Sequence, residues 1–293
     1  LLEVDCCMLS YGYLLDLALI LLSTKLLGII TKKFKMPQVV GALLAGLIFG
    51  PAMLNILKET NFIIQLSELG VILLMFSAGL DTDLNELKKT GKASFIIALF
   101  GVLIPLIGGF LVAYLFSDLD LMKEATTNVL LQNIFIGVIL TATSVSITVE
   151  ALKEMGKLNT SAGTAILGAA IIDDILGIIA LTIISSMADT SVNVGFVLLK
   201  IVAYFIFVIV IGITSHKAFD IWMKYENRDR RRFITAALVF CLLLSYVSEE
   251  IFGVADITGA FIAGLILSNV ERKTYVASRL DILSYSLLSQ VFF

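Results

Sequence analysis

Residues 162–184 read AGTAILGAAIIDDILGIIALTII, and Asp173 and Asp174 are the only ionisable residues in that run. The run is long enough to cross a bilayer as an α-helix, which takes about 20 residues. A carboxylate at membrane depth costs roughly 2.5–3.5 kcal/mol on insertion scales. A chain that keeps two of them there offsets the cost with a bound cation, a proton or a buried basic partner. The pair is therefore the strongest pointer to function in the sequence.

The rest of the chain supports the membrane reading. It has 293 residues, 59% of them hydrophobic and 15% charged, with a mean hydropathy of +1.00. The charges cluster in short stretches between apolar blocks, as in a polytopic helical membrane protein. A β-barrel needs short alternating segments, and these runs are continuous. The net charge of −3 gives no support to nucleic-acid binding. Cys6, Cys7 and Cys241 form neither a disulfide framework nor a metal site, and no cofactor is implied.

Nine apolar spans are expected, at 11–31, 38–57, 62–80, 93–116, 133–152, 162–187, 194–216, 233–249 and 255–270. A tenth begins in the closing LLSQVFF. Most of the 21 Lys and Arg residues fall in the loops after spans one, three, five, seven and nine. The loops after spans two and four carry only Lys58 and Lys123, and those after six and eight carry none. This bias puts the odd-numbered loops in the cytoplasm and the N-terminus outside, with Arg228, Arg230, Arg231 and Arg232 as a cytoplasmic anchor.

Span two contains GALLAGLI (41–48) and span nine contains GAFIAGLI (259–266). The small residues of each copy, Gly41 and Gly46 and then Gly259 and Gly264, suit close helix packing. Two unrelated packing faces would suffice to explain the match. Because spans two and nine run in opposite directions, an inverted-topology repeat explains it too, and that architecture is typical of secondary transporters. The first repeat then covers 10–187, span seven (194–216) is a linker helix, and 233–293 begins a second repeat. Symmetry would complete such a protein at about 13 spans, so the expectation is a fragment truncated at its C-terminus.

Adjacent helical residues point about 100° apart. One aspartate should face a cavity and the other a neighbouring helix. Burial disfavours an ionised carboxylate and a nearby cation favours it, so such a site can hold either protons or a cation. Competition between them couples opposite fluxes. A packing pair neutralised by a basic residue is the structural alternative. Span five adds Thr141, Thr143, Ser144, Ser146 and Thr148 within nine residues. Hydroxyls can satisfy backbone groups where a membrane helix unwinds, although they also back-bond harmlessly within helices. Glu68 is a candidate for the entry path. His216, Glu249 and Glu250 read as interfacial or solvated groups, and Pro37 and Pro51 bracket span two.

Four segments carry a family resemblance: PQVVGALLAGLIFGP (37–51), LGVILLMFSAGLDTDL (69–84), TATSVSITVEALKEMGKLNTSAGTAILGAAIIDDILGI (141–178) and ITGAFIAGLILSN (257–269). The chain resembles the sodium/proton exchanger-like membrane domain of the monovalent cation:proton antiporter-2 family over nearly its whole length. The resemblance implies a 13-helix antiporter rather than an enzyme, working as a homodimer in the cell (inner) membrane by an elevator-type motion. It implies that Asp174 is the main cation- and proton-carrying carboxylate with Asp173 as its partner. It places Thr143 and Ser144 at an unwound crossing, and it favours sodium over potassium as the cation exchanged for protons. Val145 departs from the proline that many relatives carry after the Thr-Ser. A sodium-coupled symporter of an organic anion is the alternative on a similar scaffold. An intramembrane aspartyl protease needs carboxylates facing each other from different helices, a geometry that adjacent aspartates fail.

Overall fold

With no water in the bilayer core to pair its backbone groups, an apolar run closes its own hydrogen bonds as helix. The structure, a computed structural model, describes residues 12–116, 129–188, 193–225, 230–270, 273–283 and 289–292, and every regular element among them is helical. Cys6, Cys7, Lys123 and Arg228 lie outside the described residues. In chain order the helices are α1 (Gly12–Lys33), α2 (Gln38–Phe49), α3 (Asn61–Asp81), α4 (Leu84–Leu115), α5 (Val129–Ile139), α6 (Val145–Glu154), α7 (Ser161–Ala188), α8 (Val194–Tyr225), α9 (Arg230–Val247), α10 (Asp256–Leu267), α11 (Lys273–Leu283) and the short α12 (Ser289–Phe292). A π-helical turn, Ser248–Phe252, follows α9, and Gly253 closes it at φ 68°, in the left-handed region open to glycine.

Six of the described helices are long and apolar enough to cross a membrane: Gly12–Lys33, Asn61–Asp81, Leu84–Leu115, Ser161–Met187, Val194–Phe219 and Arg232–Phe252. The expected spans two and nine contain the shorter apolar helices Gln38–Phe49 and Asp256–Leu267, and span five overlaps a third, Val129–Ile139. Span five, expected at 133–152 with Thr143 and Ser144 at an unwound crossing, is two short helices, α5 and α6, with residues 140–144 open between them. In the tail, α11 forms as a separate helix ahead of the closing apolar stretch LLSQVFF.

The chain divides into two compact units, Leu1–Leu74 with Leu280–Phe293, and Met75–Arg279. In the first, α1 and α2 pack through glycine. A Cβ on Gly41 would stand 2.6 Å from the Gly28 Cα, so neither backbone could approach this closely with a side chain there. The chain turns between them through Lys35, at φ 60°. This unit also holds a cavity of about 290 Å³, lined in part by Ser23, Thr24, Gly46, Lys58 and Ser67.

In the second unit α4 lies along α7. The Ser94 hydroxyl donates to the Ala165 carbonyl at 3.0 Å, a Cβ on Gly168 would meet Ser94 Cβ at 3.2 Å, and Gly101, two turns on from Ser94, stands beside Asp173. The matching steps along both chains give the two helices the same direction. α5 closes on α4 where Gly137 meets Gly109, since a Cβ on Gly109 would come within 2.9 Å of the Gly137 Cα. The last turns of α3 pack against α10, with Gly79 and Gly264 facing each other. α10 also packs on α9, where a Cβ on Gly259 would stand 2.8 Å from the Leu244 carbonyl oxygen. Large apolar side chains such as Leu199, Ile206 and Ile209 of α8 point outward.

Candidate functional site

Leu140 to Ser144 is where span five stops being helical, and its hydroxyls take over the backbone's bonding. Thr141 and Ala142 close the end of α5 with short-range bonds to Val138 and Ile139 at 3.0 and 3.4 Å. Thr141 Oγ1 donates to the Val138 carbonyl at 2.8 Å, and Thr143 Oγ1 reaches the Thr141 carbonyl at 3.3 Å. Ser144 caps α6, its Oγ accepting from the Ile147 N–H at 3.4 Å, and Thr148 Oγ1 donates back to the Ser144 carbonyl at 2.9 Å. The helix ends on either side of the break leave carbonyl and N–H groups without intrahelical partners. No proline is needed; Val145 sits buried in the first turn of α6.

Opposite the break, α7 presents Asp173 and Asp174. A cavity of about 370 Å³ is lined by both aspartates together with Thr141, Ala142 and Thr143 of the break and Gly177 of α7. Asp173 is 8% exposed, whereas Asp174 is half-buried. The Thr143 hydroxyl lies against the Asp173 carboxylate. Asp173 Oδ1 is turned toward α4, 3.9 Å from where a Gly101 Cβ would be, and it has no hydrogen-bond partner. The two neighbours therefore divide as 100° of helical rotation requires: one reaches toward an adjacent helix, and the other is the more open of the two.

The arrangement gathers hard oxygen donors, namely two carboxylates, hydroxyls and the carbonyls of an opened helix, in one cavity. Such donors suit alkali cations and protons rather than soft metals. Among the described residues no group of three or more His, Cys, Asp and Glu side chains is placed to hold a metal ion.

Of the residues expected at the site, Asp173, Asp174 and Thr143 come together. Ser144 adjoins them as the α6 cap and is not in the cavity wall. Glu68 is exposed, in the part of α3 that belongs to the first unit, and is not among the residues lining this cavity. The four repeat glycines lie elsewhere: Gly41 against α1, Gly46 at the first unit's cavity, Gly259 against α9 and Gly264 against α3. Glu249, read as solvated, does more than that: its Oε2 accepts from the Asp256 N–H at 3.1 Å, at the start of α10. Sequence reading passed over the approach of α4 at Gly101 to the Asp173 carboxylate, a contact between residues far apart in the chain.

Comparison with known proteins gives this geometry a context. The family model described as "Sodium/hydrogen exchanger, transmembrane" matches residues 18–293. The chain is 40% identical over 281 residues to the probable Na(+)/H(+) antiporter GerT of Bacillus cereus, covering 95% of this chain and 71% of the relative. It is 38% identical over 285 residues to the Na(+)/H(+)-K(+) antiporter GerN of Bacillus cereus, covering 97% and 70%. It is 36% identical over 281 residues to a Na(+)/H(+) antiporter of Enterococcus hirae, covering 94% and 70%. On the length of the family match and the identity to these relatives, the chain belongs to the sodium/hydrogen exchanger family of monovalent cation:proton antiporters.

Proposed function

We propose that this protein exchanges a monovalent cation for protons across the cell (inner) membrane, with sodium as the favoured cation and potassium as a second candidate. The observation that carries the reading is the Asp173–Asp174 pair facing a helix opened at residues 140–144 in one cavity. Asp174, the more open of the two, is the exchanging carboxylate; Asp173 and Thr143 complete its oxygen set, and Ser144 holds the opened segment in place. A site that takes either a cation or protons, but not both, couples their movement in opposite directions when it is exposed to the two sides in turn. The similar proteins named above are all described as antiporters, one of them for both sodium and potassium. That leaves the organic-anion symporter without support.

Nine crossings with the N-terminus outside, an inverted repeat and a homodimer belong to the same proposal. Supporting the repeat, Gly41 packs α2 on α1 as Gly259 packs α10 on α9, which is the pairing that symmetry between spans one and eight requires. The test is exchange by the full-length protein in liposomes. After a pH gradient is imposed, sodium, potassium or lithium is added in turn. Collapse of the gradient that depends on the cation and vanishes in Asp174→Asn supports the proposal. Collapse that survives in the variant overturns the site, and no collapse with any of the three overturns the function.

A further inference from the structure

The break at residues 140–144 cuts α6 off from α5, so α6 takes its position from its other contacts. Its inner face is not simply apolar. Ser146 and Glu150 are buried there beside Val145 and Val149. Lys153 falls on the same face, at the i, i+4, i+7 spacing that starts from Ser146. The Lys153 ammonium reaches across to the last turns of α3. It donates to Ser77 Oγ at 3.0 Å and stands 4.0 Å from Asp81 Oδ2. Ser77 is fully buried and Asp81 follows it by one helical turn, so α3 offers a hydroxyl and a carboxylate on one face to a single ammonium. All of these residues belong to the second unit.

A lysine in the last turn of a helix already sits well in the field of that helix with its head in water. Here the head turns inward instead, and the Lys153 side chain is only 19% exposed. A buried ion pair adds little net stability over apolar side chains filling the same space. What it adds is registry. An apolar face can slide, whereas a hydroxyl, a carboxylate and an ammonium meet at one setting of α6 against α3. At its other end α6 begins from the Ser144 cap, next to Thr143, whose hydroxyl lies against Asp173. A shift of α6 along α3 therefore moves the opened segment relative to the aspartates.

We infer that Lys153 is a positioning residue for exchange: by fastening α6 to Ser77 and Asp81 of α3, it sets where the opened segment stands against Asp173 and Asp174. Lys153 itself is not in the wall of the aspartate cavity. The inference rests on the exchange reading given above.

The deciding variant is Lys153→Met, which keeps the length of the side chain and removes its charge and its donors. The full-length protein in liposomes is assayed over a range of sodium concentrations, and its thermal unfolding in detergent is followed with and without sodium chloride. The expected result is an apparent KM for sodium raised roughly tenfold, the scale of losing a group that orients a metal ligand. The maximal rate should be largely kept, and the unfolding temperature without sodium little changed. Ser77→Ala and Asp81→Asn should raise the KM in the same direction. Lys153→Arg, which restores a charged donor, should bring it back toward the wild-type value. A wild-type KM in Lys153→Met overturns the inference, whether or not that variant unfolds more easily. Should Lys153→Met fail to fold, a wild-type KM in both Ser77→Ala and Asp81→Asn overturns it. Asp174→Asn separates the two levels: normal exchange in that variant sinks the exchange site itself, whereas loss of exchange there with a wild-type KM in Lys153→Met sinks only the role of Lys153.

Discussion

Two helices of the second unit carry an interruption, and they resolve it in opposite ways. α4 contains Pro105 and remains one helix over 32 residues, whereas span five contains no proline and opens at residues 140–144. The difference lies in who satisfies the backbone. Proline removes one donor and leaves its neighbours helical, so packing against α5 and α7 holds α4 together. In span five, successive hydroxyls at Thr141, Thr143 and Ser144 each offer the backbone a local partner, and a hydroxyl bonds turn and helix alike. Unwinding a membrane helix therefore needs substitute partners more than it needs a helix breaker. Where the partners are side-chain hydroxyls beside a cavity, the opened backbone becomes available to a ligand.

Four substitutions test that contrast, in order of expected effect. Asp174→Asn removes the charge that the opened helix faces, and exchange in liposomes should fall at least about 100-fold, the scale lost with an essential proton-carrying group. Gly137→Leu attacks the contact that keeps α4 continuous beside the break. A Cβ there would stand 2.5 Å from the Leu106 carbonyl oxygen, so the variant should lose about 1–3 kcal/mol or more of stability in detergent unfolding, as overpacked sites do. Thr143→Val keeps the shape and removes the hydroxyl against Asp173. Losing one oxygen from the cavity wall should raise the apparent KM for sodium roughly tenfold while the protein folds normally. Ser144→Ala takes away the α6 cap alone and should cost about 1 kcal/mol in unfolding with a smaller change in KM. A larger effect of Ser144→Ala than of Thr143→Val on KM would reverse their assigned roles.

The apparent KM for the cation should also depend on pH, with a definite sign. Lowering the pH protonates the carboxylates and removes the charge that attracts the cation, so the KM should rise as pH falls. At saturating cation the same competition is overcome, and the pH dependence should flatten.

The sequence made much of this legible. Asp173 and Asp174 stand out because an apolar run exposes any charge within it, and the hydroxyls of span five are conspicuous for the same reason. The bounds of the helix–break–helix were not legible, because Ser and Thr patterns fit a bonded helix and an opened one equally well, and only the packing of α5 on α4 decides. Which aspartate turns toward α4 was equally hidden: periodicity gives the angle between neighbours but not the absolute rotation of the helix. Gly101 lies 72 positions from Asp173, and its nearness is a tertiary fact.

The central claim is that cation and protons compete for one carboxylate site. It is tested most directly by adding sodium chloride to the weakly buffered, detergent-solubilised full-length protein near neutral pH and measuring the protons released. The account predicts saturable proton release on sodium binding that is absent in Asp174→Asn. Sodium binding without any proton release, or release of the same size in the variant, would contradict it.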